Sequence, residues 1–175
     1  RQSRIRAIAA SPGIAVGEGW MDVSQPSLEH VYQASTLDSA SERERLTQAL
    51  EEAAAEFRRF SKRFTANSQK DSAAIFDLYS HLINDARLKR ELMNEIDAGS
   101  VAEWAVKQVI ERFAEQFASL QDPYMRERAS DLRALGQRLL FHLDDNATGI
   151  NQWPDRFILV ADELTATLLA EVPQE

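Results

Sequence analysis

The chain has 175 residues, no cysteine, and 28 acidic against 20 basic side chains, for a formal charge of -8. That length can bury a full core unaided, and the missing thiols exclude disulfides and thiolate metal sites. The acidic balance argues against nucleic-acid binding, and no apolar run nears the roughly 18 residues of a membrane span, so a cytoplasmic protein with neither partner is expected.

From Arg1 to about Tyr32 the chain mixes short apolar runs, Ile5 to Ala10 and Ile14 to Val16, with Pro12, Gly13, Gly17, Gly19 and Pro26. This is strand and turn composition. From Asp38 to about Asn146 it turns to Ala, Leu, Glu, Arg and Gln with little Pro or Gly. Leu46, Leu50, Ala53, Phe57, Phe60 and Phe64 form one stripe of a long helix, with Ser41 and Glu44 as its expected capping box. A second helix is expected from about Asp71 with Ile75, Leu78, Tyr79 and Leu82. A third starts at Asp85, carries Leu88, Leu92 and Ile96, and ends at Gly99. Ser100 and Glu103 suggest a second capping box, ahead of Trp104, Val109, Ile110, Phe113, Phe117 and Leu120. Asp122-Pro123 opens the last long helix, striped by Met125, Ala129, Leu132, Leu135, Leu139 and Leu143. Tight connections between such stripes make an antiparallel bundle. After the turn-like Thr148-Gly149 and Trp153-Pro154, Phe157 to Ala161 reads as a strand and Glu163 to Ala170 as a helix.

Strand material therefore brackets a helical block. Pairing the two ends in one small sheet satisfies backbone groups that short isolated strands would leave unpaired. The expected fold is mainly α: a helical bundle, residues 34–148, inserted into an incomplete β/α domain made of 1–33 and 149–175.

Chemistry is sparse. His30, His81 and His142 lie on different elements. His81 and Asp85, four apart, have the spacing of a base and its orienting carboxylate, but a surface pair across a helix junction is the simpler reading. His142, near a helix C-terminus, reads as a dipole cap. No Glu-x-x-His pair occurs for a di-metal bundle, and Gly13, Gly17 and Gly19 fit neither a Walker loop nor a Rossmann fingerprint. Gly136 inside a helix points to close packing or a kink. No catalytic residue is assigned.

Four stretches, "ASPGIAVGEGW" (10–20), "AIFDLYSHLINDARL" (74–88), "DPYMRERASDLRALGQRLL" (122–140) and "FILVADELTATLLAEVP" (157–173), stand in the order found in one family. They resemble the amino-terminal half of enzyme I of the phosphoenolpyruvate-dependent phosphotransferase system, most of all its nitrogen-branch paralogue. The resemblance implies a swivelling phosphohistidine-type β/α domain that takes a phosphoryl group from phosphoenolpyruvate, with an inserted helical subdomain where a small histidine-phosphocarrier protein docks. It places the phosphoacceptor histidine in a glycine-rich segment after the last strand and helix, beyond Glu175. It implies no cofactor in this piece, magnesium for the full-length enzyme, a monomeric fragment and a homodimeric whole.

By the same resemblance the carrier meets Ala74, Ile75, Leu78, Leu82, Phe117 and Met125 as an apolar strip, Asp71, Asp77 and Asp85 as an acidic rim, His81 in place of an apolar residue, and Arg128 as a partner for the phosphate. Lys70, Ala86 and Arg87 stand where the sugar-branch enzyme carries carboxylates, which implies the nitrogen-branch carrier. Ala166 departs from the family's usual proline. The alternative is a non-enzymatic helical adaptor, which explains the bracketing strands poorly.

Overall fold

The computed structural model describes residues 8, 10–21, 26–145, 153–161 and 164–173. Strand β1, Glu18–Met21, is followed by a 3-10 turn, Leu28–His30, and by five helices: α1, Ser39–Ala66; α2, Lys70–Ile83; α3, Ala86–Asp97; α4, Ala102–Ala118; and α5, Pro123–Leu143. Strand β2, Phe157–Val160, and helix α6, Ala166–Glu171, complete the chain. Among the described residues the fold is mainly helical, with one small parallel sheet.

Strand β1 pairs with β2 in parallel, from Glu18 opposite Phe157 to Met21 opposite Val160. The two ends of the chain thus share a sheet, as strand composition on both sides of the helices required. The strand at the first end is displaced from expectation, because Ile14 to Val16 has no strand structure and is exposed. Gly17 explains where pairing begins: a Cβ there would lie 3.1 Å from the Arg156 carbonyl oxygen, too close for an ordinary side chain. Of the run Ile5 to Ala10, only Ile8 and Ala10 lie within the described residues, as Thr148-Gly149 does not.

Helix α1 buries all six apolar residues of its stripe. Its rings meet those of α2: Phe57, Phe60 and Phe64 surround Phe76, with centroids 5.0–6.4 Å apart, and Tyr79 stands edge-on to Phe57. Helix α3 buries Leu88, Leu92 and Ile96 and ends where Gly99 adopts a φ of +99°, the left-handed conformation that suits glycine. Helices α4 and α5 lie side by side, and Gly136 of α5 faces Ile110 of α4 across that seam. A Cβ on Gly136 would sit 2.9 Å from Ile110 Cγ2, so this mid-helix glycine serves close packing.

Two expected caps are replaced. Asp38, not Ser41, caps α1, its carboxylate accepting from the Ser41 amide at 3.0 Å. Val101 occupies the N-cap of α4 without a side-chain bond, and the Ala102 amide instead donates to Glu42 Oε2 at 2.7 Å. Ser100 is drawn into a bridge with Ser35. A carboxylate from another helix does what a local capping box was expected to do, since any acceptor at a helix N-terminus satisfies the orphan donors.

His142 lies in the last turn of α5, where a dipole cap was expected. Its Nδ1 also lies 3.3 Å from Glu52 and its Nε2 3.2 Å from Glu56, so it joins a cluster of ionisable side chains between α1 and α5. At the centre is Arg138, 2% exposed, whose Nε donates to Glu56 Oε2 at 2.6 Å and whose Nη2 donates to Glu56 Oε1. Burial pushes the Glu56 carboxyl up, but hydrogen bonds and charge from Arg138 and His142 outweigh it and bring the pKa from 4.5 down to about 2.

Two outcomes test this packing. Gly136→Ala adds a methyl against Ile110; overpacking of about 1–3 kcal/mol exceeds the helix-propensity gain of about 1 kcal/mol, so urea denaturation should show a net loss. Glu56, ionised well below its unfolded pKa, stabilises the fold fully above about pH 4.5 and loses that contribution as pH falls toward 2, on the order of 3 kcal/mol. Glu56→Gln should be weaker at pH 7 and show a flatter loss of stability over that acid range; parallel curves for the two proteins would refute the assignment.

Candidate functional site

Helix α2 turns Ala73, Phe76, Tyr79 and Ile83 inward. The opposite positions, at spacings of three and four, are left outside: Asp71, Ala74 and Ile75 are exposed, Leu78 is half-buried, His81 is exposed and Leu82 half-buried. Sequence periodicity had placed Ile75, Leu78 and Leu82 on one stripe with Tyr79; the aromatic seam with α1 decides otherwise and rolls them toward solvent. Ile75 is 40% exposed.

Below this face lies a groove of about 620 Å³ between the α2–α3 junction and the α4–α5 pair. Leu82, Leu88, Phe113, Phe117, Leu120 and Leu132 give it apolar walls, and His81, Asp85, Arg87 and Gln116 stand among its lining. Arg87 holds its guanidinium 5.1 Å from the centre of the Phe113 ring, a cation resting on an aromatic wall. Leu120, 46% exposed, lies just beyond the end of α4. Leu88 and Leu132 are buried core residues that also reach the groove, so its walls are set by the packing of the bundle.

The residues singled out from sequence are distributed as follows. His81, Leu82, Asp85 and Phe117 line the groove. Asp71, Ala74, Ile75 and Leu78 continue its α2 side, and Met125 is half-buried on the first turn of α5. Asp77 faces elsewhere, accepting a hydrogen bond from Ser61 Oγ of α1 at 2.6 Å. Asp85 caps α3 through the Leu88 amide at 2.8 Å. Arg128 is paired with Asp131 at 2.7 Å and lies over the Tyr124 ring, 4.4 Å from its centre. His81 and Asp85 do not form a base-carboxylate pair, because the His81 Nδ1 lies 2.7 Å from the Asp77 carbonyl, one helical turn back. Arg87, Leu88, Phe113, Gln116, Leu120 and Leu132 are groove residues that the docking assignment omitted. Arg87 was visible as a departure in charge, whereas Phe113 and Leu132 read as ordinary core.

What the site offers is an apolar slot with mixed charge at its mouth. It contains no nucleophile beside a base, and among the described residues no group of three His, Cys, Asp or Glu side chains could hold a metal ion. Such a slot suits an inserted apolar side chain of a partner protein.

Comparison with known proteins agrees with the four sequence stretches. The family model described as PEP-utilising enzyme, N-terminal, matches residues 6–128. The "Phosphoenolpyruvate-dependent phosphotransferase system" protein of Escherichia coli strain K12 is 71% identical over all 175 residues, and that of Salmonella typhimurium strain LT2 is 69% identical. The chain spans 23% of the length of each. Among solved structures, "N-terminal domain of Enzyme 1 - Nitrogen" superposes with a TM-score of 0.75 at 71% identity, covering 98% of this chain and 70% of that one. The solution structure of an Enzyme I protein superposes with a TM-score of 0.75 at 26% identity, covering 94% of this chain and 67% of the other. With its helical bundle, its end-to-end sheet and a family match across most of its length, the chain belongs to the N-terminal domain family of the PEP-utilising enzymes.

Proposed function

We propose that this chain is the carrier-docking part of a nitrogen-branch phosphoenolpyruvate-protein phosphotransferase. A small histidine-phosphocarrier protein would lie along the outer face of α2 and seat an apolar side chain in the groove. The phosphoryl group would come from a histidine elsewhere in the enzyme, and magnesium would serve the phosphoenolpyruvate chemistry of the complete protein. The observation that carries this reading is the continuity of the α2 face with the groove: Ala74, Ile75 and Leu78 lead directly to Leu82, Phe117 and the pocket walls. Apolar centre and polar edge are the anatomy of a protein interface.

His142 is a poor phosphoryl acceptor: it is wedged between Glu52 and Glu56, where a phosphoryl group would meet two carboxylates. The charged edge favours the nitrogen-branch carrier, because Lys70 and Arg87 bring positive charge to a rim otherwise acidic, and rim charge acts on partner choice and association rate. A free-standing adaptor bundle would leave the parallel pairing of β1 and β2 without a role. The piece itself is read as a monomer and the complete enzyme as a homodimer.

Titrating the labelled chain with the nitrogen-branch carrier should shift amide signals across Ala74 to Asp85 and around Phe117. Leu82→Asp should weaken binding by at least about tenfold with the helical spectrum unchanged, since a charge would then enter an apolar pocket. Unmoved signals, or full affinity in the variant, would sink the docking reading. Supplied with phosphoenolpyruvate, magnesium and the remaining domains of a relative as separate proteins, the chain should take up no phosphate; stable label on His81 would contradict the assignment of the acceptor elsewhere.

A further inference from the structure

Helix α1 changes sign along its outer face. Glu44, Glu51 and Glu52 lie exposed on its first half, and Arg58, Arg59, Lys62 and Arg63 follow, exposed, on its second. Like charges three and four residues apart on a helix repel by a few tenths of a kcal/mol per pair, on the order of 0.2–0.5. Among the described residues no carboxylate relieves them: Arg63 donates to the Ala170 carbonyl, and Arg58, Arg59 and Lys62 have no ion pair. Elsewhere Arg43, Arg45, Arg112, Arg128, Arg133 and Arg138 each hold an acidic partner. A patch of open positive charge therefore stands on a chain whose formal charge is -8.

Arg58 joins this patch to a cavity of about 380 Å³, which opens where α1 passes the α2–α3 junction. None of its lining residues lines the docking groove. Lys89 of α3 supplies a second cation, and its Nζ donates to Asn84 Oδ1 at 2.9 Å, while Asn84 Nδ2 donates to the Ser80 carbonyl at 2.8 Å. The amide is thus turned to hold the ammonium, which keeps two further N–H donors. Leu50, Ala54 and Met93 give the cavity an apolar wall, of which Leu50 and Ala54 are fixed in the core. Glu51 is its one acidic lining residue, and it makes no ion pair with Arg58 or Lys89.

We infer that this cavity binds a small phosphorylated molecule with an apolar body, of the nucleoside monophosphate class. Two unpaired cations match a phosphomonoester dianion, with the planar fork of Arg58 suited to two of its oxygens and Lys89 acting as a point charge. Arg59 and Lys62, beside Arg58 on the same face, raise the local concentration of anions. The thioether of Met93, with Leu50 and Ala54, suits a flat aromatic body. Glu51 lies roughly 10 Å from Arg58 along the helix, where its carboxylate can accept from a ligand hydroxyl. A cavity of this size falls within the range that small ligands occupy. The site stands whether or not a carrier docks at the groove.

The test is a titration of the complete labelled chain with adenosine monophosphate, free of metal and at constant ionic strength, read by its amide signals. Those of Arg58, Asn84, Lys89 and Met93 should move and saturate, while those of Phe113 and Phe117 in the groove stay in place. Arg58→Gln and Lys89→Gln, neither in the core, should keep the helical circular dichroism and each weaken binding about tenfold, the worth of one hydrogen bond to a charged group. Adenosine and inorganic phosphate should each bind at least about tenfold more weakly than the nucleotide. Equal affinity for adenosine would overturn the phosphate recognition, and equal affinity for inorganic phosphate would overturn the part given to the apolar wall. Signals that do not saturate at these four positions, or unchanged affinity in both variants, would overturn the site itself.

Discussion

The buried pairing of Arg138 with Glu56 is the constraint on which the arrangement of the chain turns. Removing two ions from water costs several kcal/mol each, so such a pair is weak ground for net stability. What it does impose is geometry. A bidentate guanidinium-carboxylate contact is satisfied at one relative placement of its partners, and here the partners sit on α1 and α5, the two longest helices. Sliding either helix by one turn would leave a charge buried alone. Apolar stripes tolerate small slips; this contact does not. The other long seam, α4 against α5, is fixed in a different way, by the bare Cα of Gly136 under Ile110.

With those seams set, the groove follows from helix length and from aromatic packing. Helices α2 and α3, of 14 and 12 residues, form a short hairpin against the 28 residues of α1. Phe76 and Tyr79 commit α2 to α1 through a cluster of rings, and this spends the bulkiest face of α2 on that side. The side toward α4 keeps the smaller aliphatics. Leu82 and Leu88 cannot close over Phe113, Phe117 and Leu132, and an apolar slot stays open between them.

Most of the helical architecture was legible in the sequence, because periodicity reports a face whenever a helix has only one apolar stripe. The stripes of α1, α3 and α5 are buried almost residue for residue. Helix α2 defeats that reading: it is apolar on two faces, and periodicity cannot say which one meets the core. The caps of α1 and α4 were misassigned for a related reason. A capping box is local, whereas Glu42 reaches the start of α4 across sixty residues of sequence. His142 and Glu56 were invisible as a pair for the same cause, since long-range partners leave no spacing. The docking residues came from resemblance rather than pattern. Leu82 and Phe117 are indistinguishable in sequence from ordinary core, and only the opening between helices separates the two.

Charge and shape divide the work at this surface. Asp77 is tied to Ser61, Asp85 to the start of α3 and Arg128 to Asp131, so three of the charged groups around the α2 face already have internal partners. Their fields are not lost, because a hydrogen-bonded carboxylate remains an anion, but these groups cannot swing out to meet a partner without leaving a bond. Strong close-range ion pairing is therefore a poor basis for affinity here. On the proposed docking, the formal charge of -8 would act instead at longer range, over roughly the 8 Å Debye length of physiological salt, and would draw a basic-faced protein toward the surface. On the same proposal, contact lifetime would be set by the apolar slot. If the proposed docking holds, a surface built this way would capture quickly and release quickly, as a partner that carries its cargo onward requires.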